Sequence, residues 1–97
     1  MKLRYTAPAL ADLESVLDYV AKHSPQGARR VQARIQRLID LLSSHPRIGV
    51  QTEDPTIRRI NTSPYPYLIF YEIGEDEIIV HAIRHGARNP SGMPGAT

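Results

Sequence analysis

A chain of 97 residues is short for more than one domain, and folding at this size buries roughly 60–65% of the unfolded surface, enough for a modest core. The balance of 41% hydrophobic and 23% charged residues excludes a disordered chain, and the lack of cysteine excludes a disulfide framework, a thiolate metal site and a cysteine nucleophile. The net charge is only +2, yet the sole lysines among twelve basic residues are Lys2 and Lys22, so arginine, with its planar and permanent charge, hints at an anionic partner.

Residues 2–6 alternate polar and apolar, which predicts a short strand with Leu3 and Tyr5 on one face. Thr6 can cap a first helix with Pro8 in its first turn, and Leu10, Leu13, Leu17 and Val20 form the expected buried stripe. Asp12, Glu14 and Asp18 lie off that stripe, where acids suit the start of a helix dipole. Ser24 and Pro25 open a second helix with the stripe Ala28, Val31, Ile35, Leu38 and Leu42, widened by Ile39. Arg30, Arg34 and Arg37 form a basic stripe elsewhere on it, and it stops before Pro46. The short link makes the two helices an antiparallel hairpin.

Residues 46–56 read as a loop. Strands are predicted over 57–61, 67–73 and 77–85, the last two joined by a turn at Gly74-Glu75-Asp76. The order is β-α-α-β-β-β, an α+β fold: a twisted, mainly antiparallel sheet with the helical hairpin on one face. One domain is expected over residues 1–90, with a loose tail over 91–97. The longest apolar run, Tyr67 to Tyr71, is far below the roughly 18 residues of a membrane span. The N-terminal MKLRYTAP has no apolar signal region, so a cytoplasmic protein with no membrane partner is expected.

Four histidines are candidates for chemistry. His81 and His85 are four apart on a strand, about 13 Å, too far to share one metal ion. His23 and His45 end helices, where imidazole meets the dipole. No metal and no cofactor are expected. His85 stands out within Arg84-His85-Gly86-Ala87-Arg88, since a group titrating near neutrality beside fixed positive charge suits proton transfer on a phosphate ester. Arg58 and Arg59 open a strand, and only one of them can point into any one site. Tyr65 and Tyr67, in a lead-in stiffened by Pro64 and Pro66, either stack on bases or line the core. The acids Glu75, Asp76 and Glu77 flank a turn and are assigned no chemistry.

Arg58-Arg59-Ile60, then Tyr65-Pro66-Tyr67-Leu68-Ile69-Phe70-Tyr71, then Ile78 through His85 to Pro90 together resemble the signature of the RelE/ParE toxins. Ala11-Asp12-Leu13 in the first helix and the Leu42–Pro46–Gly49 spacing after the second are similar to that family too. The resemblance covers residues 2–90. It implies a microbial ribonuclease-like fold and the toxin of a bacterial type II toxin–antitoxin module. It also implies a small antitoxin partner whose acids meet the arginines. One branch of the family cuts mRNA on the ribosome; the other poisons DNA gyrase. For cleavage, His85 would move the proton, with Arg58 or Arg59 and Arg84 or Arg88 holding the phosphate. The lack of lysine beyond Lys22 and of any aromatic residue after Tyr71 departs from the cleaving branch. The Tyr-Pro-Tyr lead-in and the His-Gly-Ala-Arg-Asn-Pro ending favour ParE, in which Arg58, Arg59, Arg84, Arg88, Tyr65 and Tyr67 bind the target. A third reading is an inactive relative that only binds antitoxin.

Overall fold

A computed structural model describes residues 1–86. Strand β1 is Lys2–Tyr5, helix α1 Ala7–His23 and helix α2 Pro25–Ser44. Strands β2 (Val50–Gln51), β3 (Arg58–Asn61), β4 (Tyr67–Ile73) and β5 (Glu77–His85) follow. They form one sheet in the order β1-β5-β4-β3-β2. All pairings are antiparallel except that of β1 with β5, which runs parallel from Lys2↔Glu77 to Tyr5↔Val80. The α+β architecture expected from the sequence is the one observed. The two-residue β2 is an addition: it lies in the segment expected to be loop, too short for any periodicity to reveal, and pairs Val50 with Arg59.

Both helix starts follow the sequence. The Thr6 hydroxyl accepts the Ala9 N–H at 3.2 Å, and the Ser24 hydroxyl accepts that of Gly27 at 2.9 Å. The stripe of α2 is buried as expected, with Val31, Ile35, Leu38, Ile39 and Leu42 all covered. That of α1 is rotated. Leu10 is 52% exposed, while Ala9 is fully buried and Leu13, Val16, Leu17 and Val20 pack against the core beside it. The small Ala9 lets the start of α1 lie close to the sheet, which turns Leu10 outward.

Tyr67, Ile69 and Tyr71 of β4 and Ile78, Val80 and Ile83 of β5 belong to the clusters packed under the helices. The opposite face carries a smaller cluster of Ile57, Phe70 and Ala82, flanked by Leu68. The β4–β5 register shifts between Phe70 and Tyr71, which leaves His81 as the extra residue of a bulge. His81 Nε2 lies 2.8 Å from Glu72 Oε1.

Two polar devices order the connections. The Tyr71 hydroxyl donates to the Pro46 carbonyl at 2.7 Å and accepts the Gly49 N–H at 2.9 Å, pinning the chain between α2 and β2. Thr62 is buried at the hairpin between β3 and β4. Its hydroxyl lies 3.0 Å and 3.1 Å from the carbonyls of Tyr67 and Tyr65 and accepts the Tyr67 N–H at 3.2 Å. Replacing Thr62 with valine keeps the shape and strands the Tyr67 N–H and the Tyr65 carbonyl, while the Tyr67 carbonyl keeps the backbone N–H of residue 62. The expected loss is about 1–3 kcal/mol in denaturant unfolding; an unchanged midpoint would mean the turn holds without the hydroxyl.

Candidate functional site

The sheet's end at the β3–β4 hairpin gathers most of the residues singled out in the sequence. Tyr67 and His85 are direct cross-strand partners, their rings edge to face with centroids 5.6 Å apart. Tyr67 is buried, and Tyr65 leans on the main core from the preceding turn. The Gly86 N–H donates to the Pro66 carbonyl at 2.7 Å and closes this end of the hairpin. Arg34 of α2 reaches the same turn, its Nε donating to the Ser63 carbonyl at 3.0 Å.

Arg84 stands next to His85, opposite Leu68. Beyond Tyr5 no strand among the described residues lies beside the edge of β5, and the start of α1 takes that place. The Thr6 N–H donates to the Val80 carbonyl at 3.0 Å. Asp12 Oδ2 then accepts the Ile83 N–H at 3.0 Å, and its Oδ1 lies 3.5 Å from Arg84 Nη1. Asp12 therefore does two jobs, satisfying a strand-edge donor and steering a guanidinium. It is not an acid of the helix's first turn, which holds none. The Nε of Arg84 is buried without a hydrogen-bond partner among the described residues, although 41% of the side chain is exposed.

Arg58 and Arg59 lie elsewhere. Arg58 pairs with Tyr71, four residues along β4 from Tyr67, or about 13 Å. Its Nη1 donates to the carbonyls of Gly49 at 2.8 Å and Arg47 at 3.3 Å, so it braces the loop before β2. Arg59 is exposed and pairs with Phe70, on the face away from the helices. Thus Tyr65, Tyr67 and His85 come together on the helix side. Arg84, at the same end of β5, pairs with Leu68 on the other face, as Arg59 does with Phe70 farther along, and Arg58 does not join them. Arg88 lies outside the described residues, as does the tail over 91–97. Asp12 and Arg34 complete the cluster and were not singled out for it. Both sit on helices whose partners are far along the chain, 71 residues for Asp12 to Ile83, so no local pattern marks them. The result is a basic and aromatic end of the sheet with one acid, already engaged. It can hold an anionic or hydrogen-bond-accepting surface.

The fold places the molecule among known proteins. A chain of the chromosomal ParDE TA system from P. aeruginosa superposes with a TM-score of 0.73 at 24% identity, covering 88% of this chain and 95% of that one, a likeness of fold. Residues 3–90 match the family of the ParE toxin of the type II toxin–antitoxin system, parDE. "Toxin RelE2" of Caulobacter vibrioides is 34% identical over 84 residues, 87% of this chain and 93% of the relative. "Putative toxin Y4kP" of Sinorhizobium fredii is 33% identical over 75 residues, 77% and 78% of the two chains. The chain belongs to the ParE toxin family, within the RelE/ParE superfamily of type II toxin–antitoxin toxins. No helix of the described residues is long and apolar enough to cross a membrane.

Proposed function

We propose that this toxin acts in the ParE manner: it traps DNA gyrase on broken DNA, performs no hydrolysis itself, and is neutralised by a cognate antitoxin in the cytoplasm. The observation that carries this reading is the separation of the arginines. A metal-free ribonuclease must hold a charged phosphorane while a proton moves. Arg58 braces a loop about 13 Å along the sheet from the row of His85, and Arg59 lies on the other face. Arg84 is steered by Asp12, and His85 is packed against Tyr67. That arrangement supports a binding surface better than a proton-transfer site. The family match to ParE supports it further. The ParDE likeness supports an antitoxin partner, whose acids would meet the basic end around Arg84.

Purified protein added to gyrase and supercoiled plasmid should accumulate linear DNA on denaturation. The relative named RelE2 keeps a second reading, ribosome-dependent mRNA cleavage, in play. Codon-phased cuts in translated mRNA, with intact plasmid in the gyrase assay, would replace the first reading with the second. The mutants divide the same way. Induced without antitoxin, His85→Ala is expected to arrest growth as the parent does, and Arg84→Glu to restore colonies. A harmless but folded His85→Ala protein would move the proposal to the nuclease.

A further inference from the structure

The two helices carry opposite charge. Helix α1 has Asp12, Glu14 and Asp18 against Lys22, a net of −2, and α2 has four arginines against Asp40, a net of +3. Since the whole chain is +2, α2 alone exceeds the protein's net positive charge. Asp40 does not answer those arginines; its Oδ1 takes the amide of Gln36 at 3.0 Å. Arg34 is tied to Ser63, but Arg29, Arg30 and Arg37 are exposed and have no ion pair or hydrogen bond among the described residues.

At 100° per residue, Arg29, Arg30, Ala33 and Arg37 fall within an arc of about 100°. That arc lies opposite the buried Val31, Ile35, Leu38 and Leu42. The three free guanidinium groups span about 12 Å of helix axis. Between and beside them the exposed residues are Gln26, Gln32, Ala33 and Gln36, with one acid, Asp40, a turn beyond Arg37 in the same arc. The one exposed large apolar residue of α2 is Leu41, at its far end past Arg37.

We infer that the outer face of α2, through Arg29, Arg30 and Arg37, binds the phosphate backbone of duplex DNA. A protein partner wants an apolar centre to bury, and this arc offers none. Protein–DNA interfaces are instead polar and strongly positive, and phosphates are contacted chiefly by arginine, lysine and amide side chains. Three arginines and flanking glutamines outweigh the single acid, Asp40, on this arc. The acids Glu14 and Asp18 on α1 repel the same backbone, so the duplex lies along α2 and away from α1. With only phosphate contacts, the binding is blind to base sequence. Duplex DNA as the source of the phosphates rests on the gyrase reading above, in which the target holds a duplex.

The test uses the full chain and a labelled B-DNA duplex of two helical turns, followed by fluorescence anisotropy across a salt series without gyrase. Three neutralised phosphates give a slope of log affinity on log salt of about −2.7, or about 40-fold loss between 50 and 200 mM. The variant Arg29→Gln/Arg30→Gln/Arg37→Gln should lose about one unit of slope per contact. The matching triple lysine variant keeps the charge and should keep the binding, which guards against a misfolded glutamine variant. Equal slopes for the glutamine variant and the parent would overturn the proposal. So would stronger displacement of the duplex by a poly-glutamate peptide or by double-stranded RNA than by unlabelled duplex. The gyrase reading is judged apart. Arginine-dependent DNA binding without gyrase-dependent breaks keeps this surface and removes that target; breaks with an arginine-independent slope do the reverse.

Discussion

Gly49→Ala is expected to lower stability by about 3 kcal/mol, or roughly 15 °C in melting temperature for a domain of this size. A Cβ built at Gly49 would lie 2.7 and 2.9 Å from Cε1 and Cζ of Tyr71 and would overlap its hydroxyl. Tyr71 is fully buried, so it has nowhere to go. Moving its ring also breaks the bonds to Pro46 and Gly49. Tyr71→Phe alone should cost about 1–3 kcal/mol, since it strands the Gly49 N–H and the Pro46 carbonyl. The double variant should recover only part of the loss, because the ring carbons crowd the new methyl even without the hydroxyl. Burial pushes the Tyr71 phenol up, against the opposing pull of the Gly49 N–H and the Arg58 charge. The neutral phenol therefore contributes stability that is full below about pH 10 and is lost as pH rises through the raised value. Urea unfolding of the four proteins decides the matter; a Gly49→Ala midpoint equal to the parent's would show that the loop moves aside at little cost.

Asp12→Ala should do more than destabilise. Removing the carboxylate leaves the Ile83 N–H without its acceptor, about 2 kcal/mol, and frees Arg84 from its only charged neighbour on α1. Asp12→Asn separates the two effects. The amide oxygen can still accept from Ile83, so stability should fall by less than about 1 kcal/mol, while the charge that steers Arg84 is gone. Under the binding reading, the asparagine protein should fold, melt near the parent and be weakly toxic. A fully toxic Asp12→Asn protein would reduce Asp12 to a strand-edge cap. An alanine protein as stable as the parent would remove even that role.

The fold was largely legible because its signals are local. Thr6 and Ser24 mark the helix starts, the α2 stripe has unbroken spacing, and the Gly74-Glu75-Asp76 turn sets the β4–β5 hairpin. Leu10 misled because α1 meets the sheet through Ala9, a residue whose smallness reads as neutral in a periodicity. Strand β2 was hidden because two exposed residues have no pattern. The candidate site was legible in part. Cross-strand register brought Tyr67 to His85, as neighbouring strands of a hairpin must. The expectation that only one of Arg58 and Arg59 could enter any one site followed from strand geometry, but no local pattern showed that Arg58 would brace carbonyls of the loop before β2. Asp12 was marked only as an acid of α1 and by its match to the family; its contacts were hidden because its partners lie 71 and 72 residues farther along the chain.

The parallel pairing of β1 with β5 also sets an order of events during synthesis. The first strand leaves the ribosome early and has no partner until Glu77 through Val80 follow it. The contacts of Asp12 with Ile83 and Arg84 span 71 and 72 residues and arrive later still. Such long-range closures are the slow steps of folding, and here they wait until residues 77–84 have been made. A nascent chain that stops short of Ile83 thus lacks Arg84's anchored position, and the edge of β5 is completed only after Glu77 through Arg84 have been made.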